Sequence, residues 1–145
     1  MDNNVLLHLK DKREERNSEP EMAAPLVMVV ENDPDTMLLI SVLLRNLGYK
    51  VVEASNGEKA LALLHKNSPE IIFMDVQMPV MDGYTATRRI RQMAAPHNAT
   101  LIIGLVADAG RADYKKCRAA GMDDYISKPF RLEEILGKLK LPPAA

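Results

Sequence analysis

The chain has 145 residues, of which 47% are hydrophobic and 27% charged, a balance typical of soluble globular proteins. Nineteen basic and twenty acidic residues give a net charge of −1, so the overall balance does not favour nucleic acid or another polyanion as a partner. The apolar runs are far shorter than the roughly 20 residues that cross a bilayer, so no membrane insertion is expected.

The first 25 residues differ in composition from the rest and contain the charged run KDKREER, followed by a segment with two prolines. We expect a solvated helical turn and then a linker over residues 1–25, because blocks of mixed charge usually face water. The alternative is that the apolar residues between 5 and 9 bind a partner helix. Acidic Asp2 argues against a secretory signal, and the single cysteine, Cys117, has no internal disulfide partner. Both features favour the cytoplasm.

From residue 26 onward, short apolar runs alternate with segments of helical spacing. LVMVV at 26–30 predicts a buried strand, and Pro34 then suits the first turn of a helix, where its missing N–H is not needed. Gly48 is expected to end that helix. The expected strands are 26–30, 50–54, 70–75, 101–106 and 124–127, and the expected helices are 34–47, 56–67 (capped by Ser55 or Asn56), 83–93, 112–120 and 131–139.

This alternation of five strands with five helices predicts the α/β class. Each strand-helix-strand unit implies a crossover connection, so the sheet should be parallel, covered on both faces and doubly wound. The domain is expected to span residues 26–140, followed by a tail at 141–145. In open sheets of this kind, ligands bind outside the carboxyl ends of the strands.

Polar side chains follow several of the expected strands. Glu31, Asn32 and Asp33 follow the first strand, Asp75 ends the third, and Lys128 follows the fifth. The fold would bring these segments to one cleft, where carboxylates crowded together repel one another. A hard cation such as Mg²⁺ offsets that repulsion by taking oxygen ligands. The sequence therefore predicts a metal site at this edge of the sheet.

Three segments carry a family resemblance. IIFMDVQMPVMDG at 71–83, VVENDP at 29–34 and AAGMDDYISKPF at 119–130 resemble, in order and spacing, the receiver domain of two-component signalling. The resemblance covers residues 26 to about 140. It implies a flavodoxin-like sheet with strand order 2-1-3-4-5 and five helices.

The resemblance also implies roles for individual residues. Asp75 would accept a phosphoryl group, Lys128 would pair with it, and Pro129 would follow a cis peptide bond that aims the lysine. The implied ligands of Mg²⁺ are Glu31, Asn32, Asp75 and the main-chain carbonyl of Gln77. The Gln77 side chain, together with Asp108 across the cleft, would tune how easily water attacks the phosphoaspartate.

Two positions depart from the family pattern. Asn32 stands where the family has a second carboxylate, so Mg²⁺ affinity should fall unless a shift of the turn lets Asp33 compensate. Val106 stands where the family has a hydroxyl that bonds the phosphoryl group. Valine keeps the shape of threonine without its hydrogen bonds, so coupling between Asp75 and the aromatic switch position, Tyr125, should weaken.

Two functions stay open at this point. One is a phosphoacceptor module that catalyses only its own phosphorylation and dephosphorylation, served by a histidine kinase or a histidine phosphotransfer domain. The other is a degenerate receiver, a protein-interaction module that is insensitive to phosphorylation. The segment GMDDYISKP resembles receivers of hybrid histidine kinases, so the chain could be stand-alone or excised from one. The chain ends soon after the last expected helix, so output is expected to pass to a downstream protein, and homodimerisation is left open.

Overall fold

The computed structural model describes residues 24–107 and 110–139. Its strands are β1 Leu26–Val30, β2 Lys50–Ala54, β3 Ile71–Asp75, β4 Leu101–Val106 and β5 Asp124–Ser127. Its helices are α1 Pro34–Asn46, α2 Gly57–Leu64, α3 Gly83–Arg91, α4 Arg111–Ala120 and α5 Leu132–Leu139, with a 3₁₀ turn at His97–Ala99. Residues 1–23 of the extension expected at 1–25, and the tail expected at 141–145, lie outside the described residues.

The five strands form one parallel sheet in the order β2-β1-β3-β4-β5. The fold class predicted from the sequence, including the strand order, is confirmed. Every residue of β3 is buried, because this strand is central in the sheet and has helices over both faces. The carboxyl ends of β1 and β3 are neighbours, and this is the point where the strand order reverses.

Helices cover the two faces of the sheet unequally. The buried residues of α1 and α5 pack in one cluster, and those of α2, α3 and α4 pack in the other. β1 shows the alternation that divides the two cores: Val27 and Val29 belong to the first cluster, and Met28 and Val30 to the second. The runs of β1, β3 and β4 are therefore apolar because these three inner strands are buried on both sides, whereas the edge strands β2 and β5 are only partly buried.

Three helices are capped at the edge of the sheet where the strands end. Asp33, Asn56 and Asp82 cap α1, α2 and α3, each accepting a hydrogen bond from the backbone N–H three residues later. Of the two caps proposed for α2, Asn56 is the one observed. The helices α2 and α3 end earlier than expected because the two residues that follow each of them bond to carbonyls three residues back, which tightens the turn.

Arg91, the last residue of α3, connects several segments at the edge of the sheet where the strands begin. Its guanidinium donates to the carbonyl oxygens of Gly121 (2.8 Å), Thr100 (2.6 Å) and Asn98 (3.1 Å). It also bonds the carboxylate of Asp123 at 2.9 Å, which itself accepts from the backbone of β4. The arginine thus joins α3 to the segments that lead into β4 and β5. None of the helices within 24–107 and 110–139 is both long and apolar enough to cross a membrane.

Candidate phosphoacceptor site

A buried acidic pair and a lysine meet at the carboxyl ends of the strands. Glu31 follows β1, Asp75 is the last residue of β3, and Lys128 follows β5. The Nζ of Lys128 lies 2.6 Å from Oε1 of Glu31 and 3.5 Å from Oδ2 of Asp75. Only 2% of Glu31 and 4% of Asp75 is exposed, so one ammonium group sits against two carboxylates in a largely water-excluded position.

The two carboxylates differ in how readily they ionise. Burial, and then the hydrogen bond and charge of Glu31, raise the pKa of Asp75 to about 7. Burial also disfavours the ionised form of Glu31, but hydrogen bonds with Asp75 and Lys128 outweigh it and lower the pKa of Glu31. Burial opposes the charge of Lys128, yet its contacts with Glu31 and Asp75 raise its pKa. The site therefore holds one carboxylate that ionises readily, one carboxyl that binds a proton more readily than a free aspartate does, and one ammonium.

The loop after β3 is fitted closely to Asp75. The backbone N–H of Gln77 donates to Oδ1 of Asp75 at 3.1 Å, and the side chain of Gln77 is exposed. Gly83 at the start of α3 donates its N–H to the carbonyl of Val76, and a Cβ at Gly83 would collide with the carbonyl oxygen of Asp75. Only glycine allows this approach. The sequence suggested Gly83 merely as a helix start, although its place at the end of the MPVMDG motif was a signal.

The same loop contains a strained residue. Val80 has a φ of 70°, a left-handed conformation that β-branched residues rarely adopt. The N–H of Met81 donates to the carbonyl of Pro79 at 2.8 Å, which closes a γ-turn around Val80. The carbonyl of Met81 accepts from the N–H of Gly57 at 3.3 Å, so the loop is held by α2. Strained residues that the surrounding structure holds in place cluster at functional sites.

The acidic turn after β1 does not supply a third carboxylate to the pair. Asn32 is exposed, and the carboxylate of Asp33 accepts from the N–H (3.1 Å) and the hydroxyl (2.6 Å) of Thr36. Those bonds with Thr36 lower the pKa of Asp33. Within the described parts of the chain, no three side chains of His, Cys, Asp or Glu are grouped to hold a metal. In this arrangement Asp33 serves as the cap of α1.

The two residues expected to act as a switch lie on β4 and β5. Val106 is fully buried at the end of β4, and its carbonyl accepts from the N–H of Lys128 at 2.7 Å. Tyr125 is partly buried, and its ring meets that of Tyr114 on α4 edge to face, with centroids 5.3 Å apart. The guanidinium of Arg118 lies 5.8 Å from the centre of the Tyr114 ring.

Pro129 and Asp108 are the two other residues expected at the site. The peptide bond between Lys128 and Pro129 is cis. Asp108, the second residue expected to tune hydrolysis, lies outside the described residues.

The family described as the response regulator receiver domain matches residues 27–140. The chain belongs to this family. The resemblance drawn from three sequence segments is thereby confirmed.

The receiver is similar to regions of much longer sensor kinases. It is 39% identical over 119 residues to the sensor histidine kinase GacS of Pseudomonas protegens, covering 78% of this chain and 13% of GacS. It is also 39% identical over 117 residues to the sensor histidine kinase RcsC of Escherichia coli, covering 80% of this chain and 12% of RcsC. The chain thus spans only a small part of the curated relatives that it matches.

Two solved structures share the fold of this receiver. The receiver domain of the sensor histidine kinase PA1611 from Pseudomonas aeruginosa was solved with a magnesium ion coordinated in its active-site cleft; it is 36% identical, with a TM-score of 0.75, and the match covers 81% of this chain and 96% of that one. The Vibrio cholerae chemotaxis protein CheY4 is 29% identical with a TM-score of 0.77, over 81% of this chain and 98% of that one. The match to a kinase receiver fits the hybrid-kinase resemblance of GMDDYISKP.

The structure brings most of the sequence-derived site residues of the receiver to one edge of the sheet. Glu31, Asp75 and Lys128 are in mutual contact, and Gln77 bonds Asp75 through its backbone. Val106 joins this group through its carbonyl. Tyr125 instead packs with α4.

Proposed function

We propose that this receiver takes a phosphoryl group onto Asp75 from the phosphohistidine of a histidine kinase or a histidine phosphotransfer domain. A carboxylate oxygen of Asp75 attacks phosphorus, the P–N bond to the donor imidazole breaks, and the imidazole leaves with the electron pair of that bond. The observation that carries the proposal is the buried Glu31–Asp75 pair with Lys128 against both carboxylates. The pKa of Asp75, raised to about 7 by burial and by Glu31, is the kind of perturbation that clusters at functional sites.

Lys128 supplies the positive charge that the chain itself contributes to the reaction. Its ammonium is compact and has three donors, so it can keep its bond to Glu31 while it donates to a phosphoryl oxygen on Asp75. The hydrogen bond from Gln77 to Oδ1 orients the acceptor and leaves Oδ2 facing the lysine. The side chain of Gln77 is exposed, and we propose that it and Asp108 set how readily water reaches the phosphoaspartate.

The donor set fits Mg²⁺. The groups proposed to hold the ion are all oxygen donors, the kind that hard cations prefer: the carboxylates of Glu31 and Asp75, the amide oxygen of Asn32 and the carbonyl of Gln77. When bound, the ion would neutralise charge on the phosphoryl oxygens and keep Asp75 ionised. Because Asn32 adds no negative charge, we propose that affinity is lower than a third carboxylate would give.

The phosphodonor is proposed to dock on α1. Three neighbouring apolar side chains there face solvent: Leu38 is 61% exposed, Leu39 49% and Val42 46%. Such a cluster on a folded domain is typical of a protein contact. It lies on the helix that starts directly after the acidic turn, so a partner bound there would be near Asp75. The proposal for the partner class rests on this face and on the similarity to receivers of histidine kinases.

Incubation with Mg²⁺ and acetyl phosphate, followed by intact-mass measurement, tests the proposal. The wild type should gain the mass of one phosphoryl group, and Asp75→Asn should gain none. Asp35→Asn, which removes an exposed acid from the first turn of α1, is the matched control and should behave like the wild type. A wild type that stays folded and gains no mass at saturating Mg²⁺ would contradict a phosphoacceptor role.

The second candidate function is a phosphorylation-insensitive interaction module. Buried Val106 and exposed Asn32 favour it. Val106 has no hydroxyl to bond a phosphoryl group, and Asn32 lacks the negative charge that a carboxylate would offer to a metal ion. The two functions separate in a binding assay with a partner kinase domain. Equal affinity before and after phosphorylation would support the interaction module, and a change in affinity would support the switch.

A further inference from the structure

The charge of this receiver is distributed unevenly. The helices α3 and α4 contain seven of the nineteen basic residues of the chain and a single acidic residue, Asp113. Since the whole chain has a net charge of −1, the remaining segments carry an excess of negative charge. The overall balance therefore hides a local concentration of positive charge.

Both helices lie on the same face of the sheet. Ala86 and Ile90 of α3 and Cys117 of α4 pack into the same core cluster, so the opposite sides of the two helices face solvent together. Arg88, Arg89, Lys115 and Lys116 are all exposed there and form what we call the basic surface. Among the residues that the structure describes, none of these four takes part in an ion pair.

Unpaired, exposed cations raise the local potential and favour an anionic partner. Nucleic acid fits poorly, since domains that bind it usually have a strongly basic overall charge, whereas this chain has a net charge of −1. A membrane also fits poorly, because membrane-bound surfaces combine cations with apolar side chains. In the described part of the chain, the exposed large apolar residues are on α1 and at Val80, apart from Tyr114 on α4. An acidic protein segment fits the basic surface best.

We propose that the basic surface binds an acidic segment of a protein partner, at a place separate from the α1 face assigned to the phosphodonor. The two contacts can coexist, because α1 packs on the other face of the sheet. The charge complementarity of this contact predicts binding that weakens as salt is added. This surface does not depend on whether Asp75 accepts a phosphoryl group.

Fluorescence anisotropy with a labelled oligoglutamate peptide and the full chain tests the proposal. The double variant Lys115→Glu, Lys116→Glu should bind the peptide at least about tenfold more weakly than the wild type at low salt. The matched control is Lys50→Glu, Lys66→Glu, which changes net charge equally at exposed positions that are not part of α3 or α4. The control should lose less than about twofold. Arg88→Gln, Arg89→Gln should give an intermediate loss, and thermal melts check that each variant folds.

An equal loss of peptide affinity in the Lys115, Lys116 variant and in the Lys50, Lys66 control would overturn the proposal, because net charge rather than a defined surface would then explain the binding. No measurable binding of the peptide by the wild type at low salt would also overturn it. Tighter binding to duplex DNA, or to vesicles with phosphatidylglycerol, than to the peptide would do the same by assigning the surface to another class of partner. Selective loss in the α4 pair, together with preference for the peptide, would support it.

Discussion

The buried Asp75 makes the stability of the metal-free domain depend on pH. Its pKa is raised in the folded state from 3.8 to about 7, so folding binds a proton at intermediate pH. The stabilisation from this group is complete below pH 3.8 and is lost as the pH rises through about 7. The metal-free protein should therefore be less stable at pH 8 than at pH 5, and Asp75→Asn, which cannot ionise, should lack this loss.

The size of the effect follows from the shift. About three pKa units at roughly 1.4 kcal/mol each give a total of about 4 kcal/mol. Between pH 5 and pH 8 the portion that is lost is roughly 3 kcal/mol. Glu31 adds little change in stability between pH 5 and pH 8. Its pKa is lowered from 4.5 in the folded state, so the stabilisation from Glu31 is present above pH 4.5 and is lost only as the pH falls through the folded-state pKa.

Urea unfolding in the presence of a chelator measures the effect. The free energy of unfolding of the wild type should fall by roughly 3 kcal/mol more than that of Asp75→Asn between pH 5 and pH 8. The exposed-site control, Asp35→Asn, should follow the wild type. Mg²⁺ at pH 8 should stabilise the wild type and leave Asp75→Asn nearly unchanged. If the free energy of unfolding changed with pH in the same way for the wild type and Asp75→Asn, the reasoning that folded Asp75 binds a proton would be refuted.

Further substitutions test other contacts. Arg91→Ala removes four hydrogen bonds and should lower the free energy of unfolding by about 2–4 kcal/mol in urea, whereas exposed Arg89→Ala should change it by less than about 0.5 kcal/mol. Gly83→Ala should slow phosphorylation by acetyl phosphate at least about tenfold at saturating Mg²⁺, because the added Cβ displaces the strand end that presents the acceptor; an unchanged rate would contradict the tight fit. Val106→Thr should lengthen the phosphoaspartate lifetime, measured by mass over time, and an identical lifetime would count against the missing hydroxyl. Asn32→Asp should tighten Mg²⁺ binding about tenfold in a calorimetric titration, and no change would show that the position is not a ligand.

Much of the fold could be predicted because its signals are local. Each strand is a short apolar run, and Pro34 and Gly48 mark the start and end of α1 within the sequence itself. Parallel pairing then follows from the alternation of strands with helices. The same reasoning brings Glu31 and Asp75 together, because residues that directly follow parallel strands share one edge of the sheet.

The features that could not be predicted depend on tertiary contacts. The γ-turn at Val80 opposes the conformational preference of a β-branched residue, so local propensity predicts the wrong backbone there. The acidic turn contains both Glu31 and Asp33, and the sequence does not say which of them caps α1. In the structure Asp33 is the cap because its carboxylate bonds Thr36. The net charge of −1 gives no sign of the basic surface. That surface can be recognised only once α3 and α4 are known to lie on the same face of the sheet.

The departure at Asn32 bears on the rest of the site through charge balance. With no carboxylate at that position, the described site holds two acidic groups, and Lys128 lies closer to Glu31, at 2.6 Å, than to Asp75, at 3.5 Å. The ammonium of Lys128 thus balances mainly the charge of Glu31, and burial together with Glu31 raises the pKa of Asp75 to about 7, so that Asp75 binds a proton more readily in the metal-free state. A cation that binds here must displace that proton, so metal binding should compete with protonation near neutral pH. We infer that Asn32 lowers the electrostatic attraction for Mg²⁺, while the raised pKa of Asp75 makes the remaining affinity sensitive to pH.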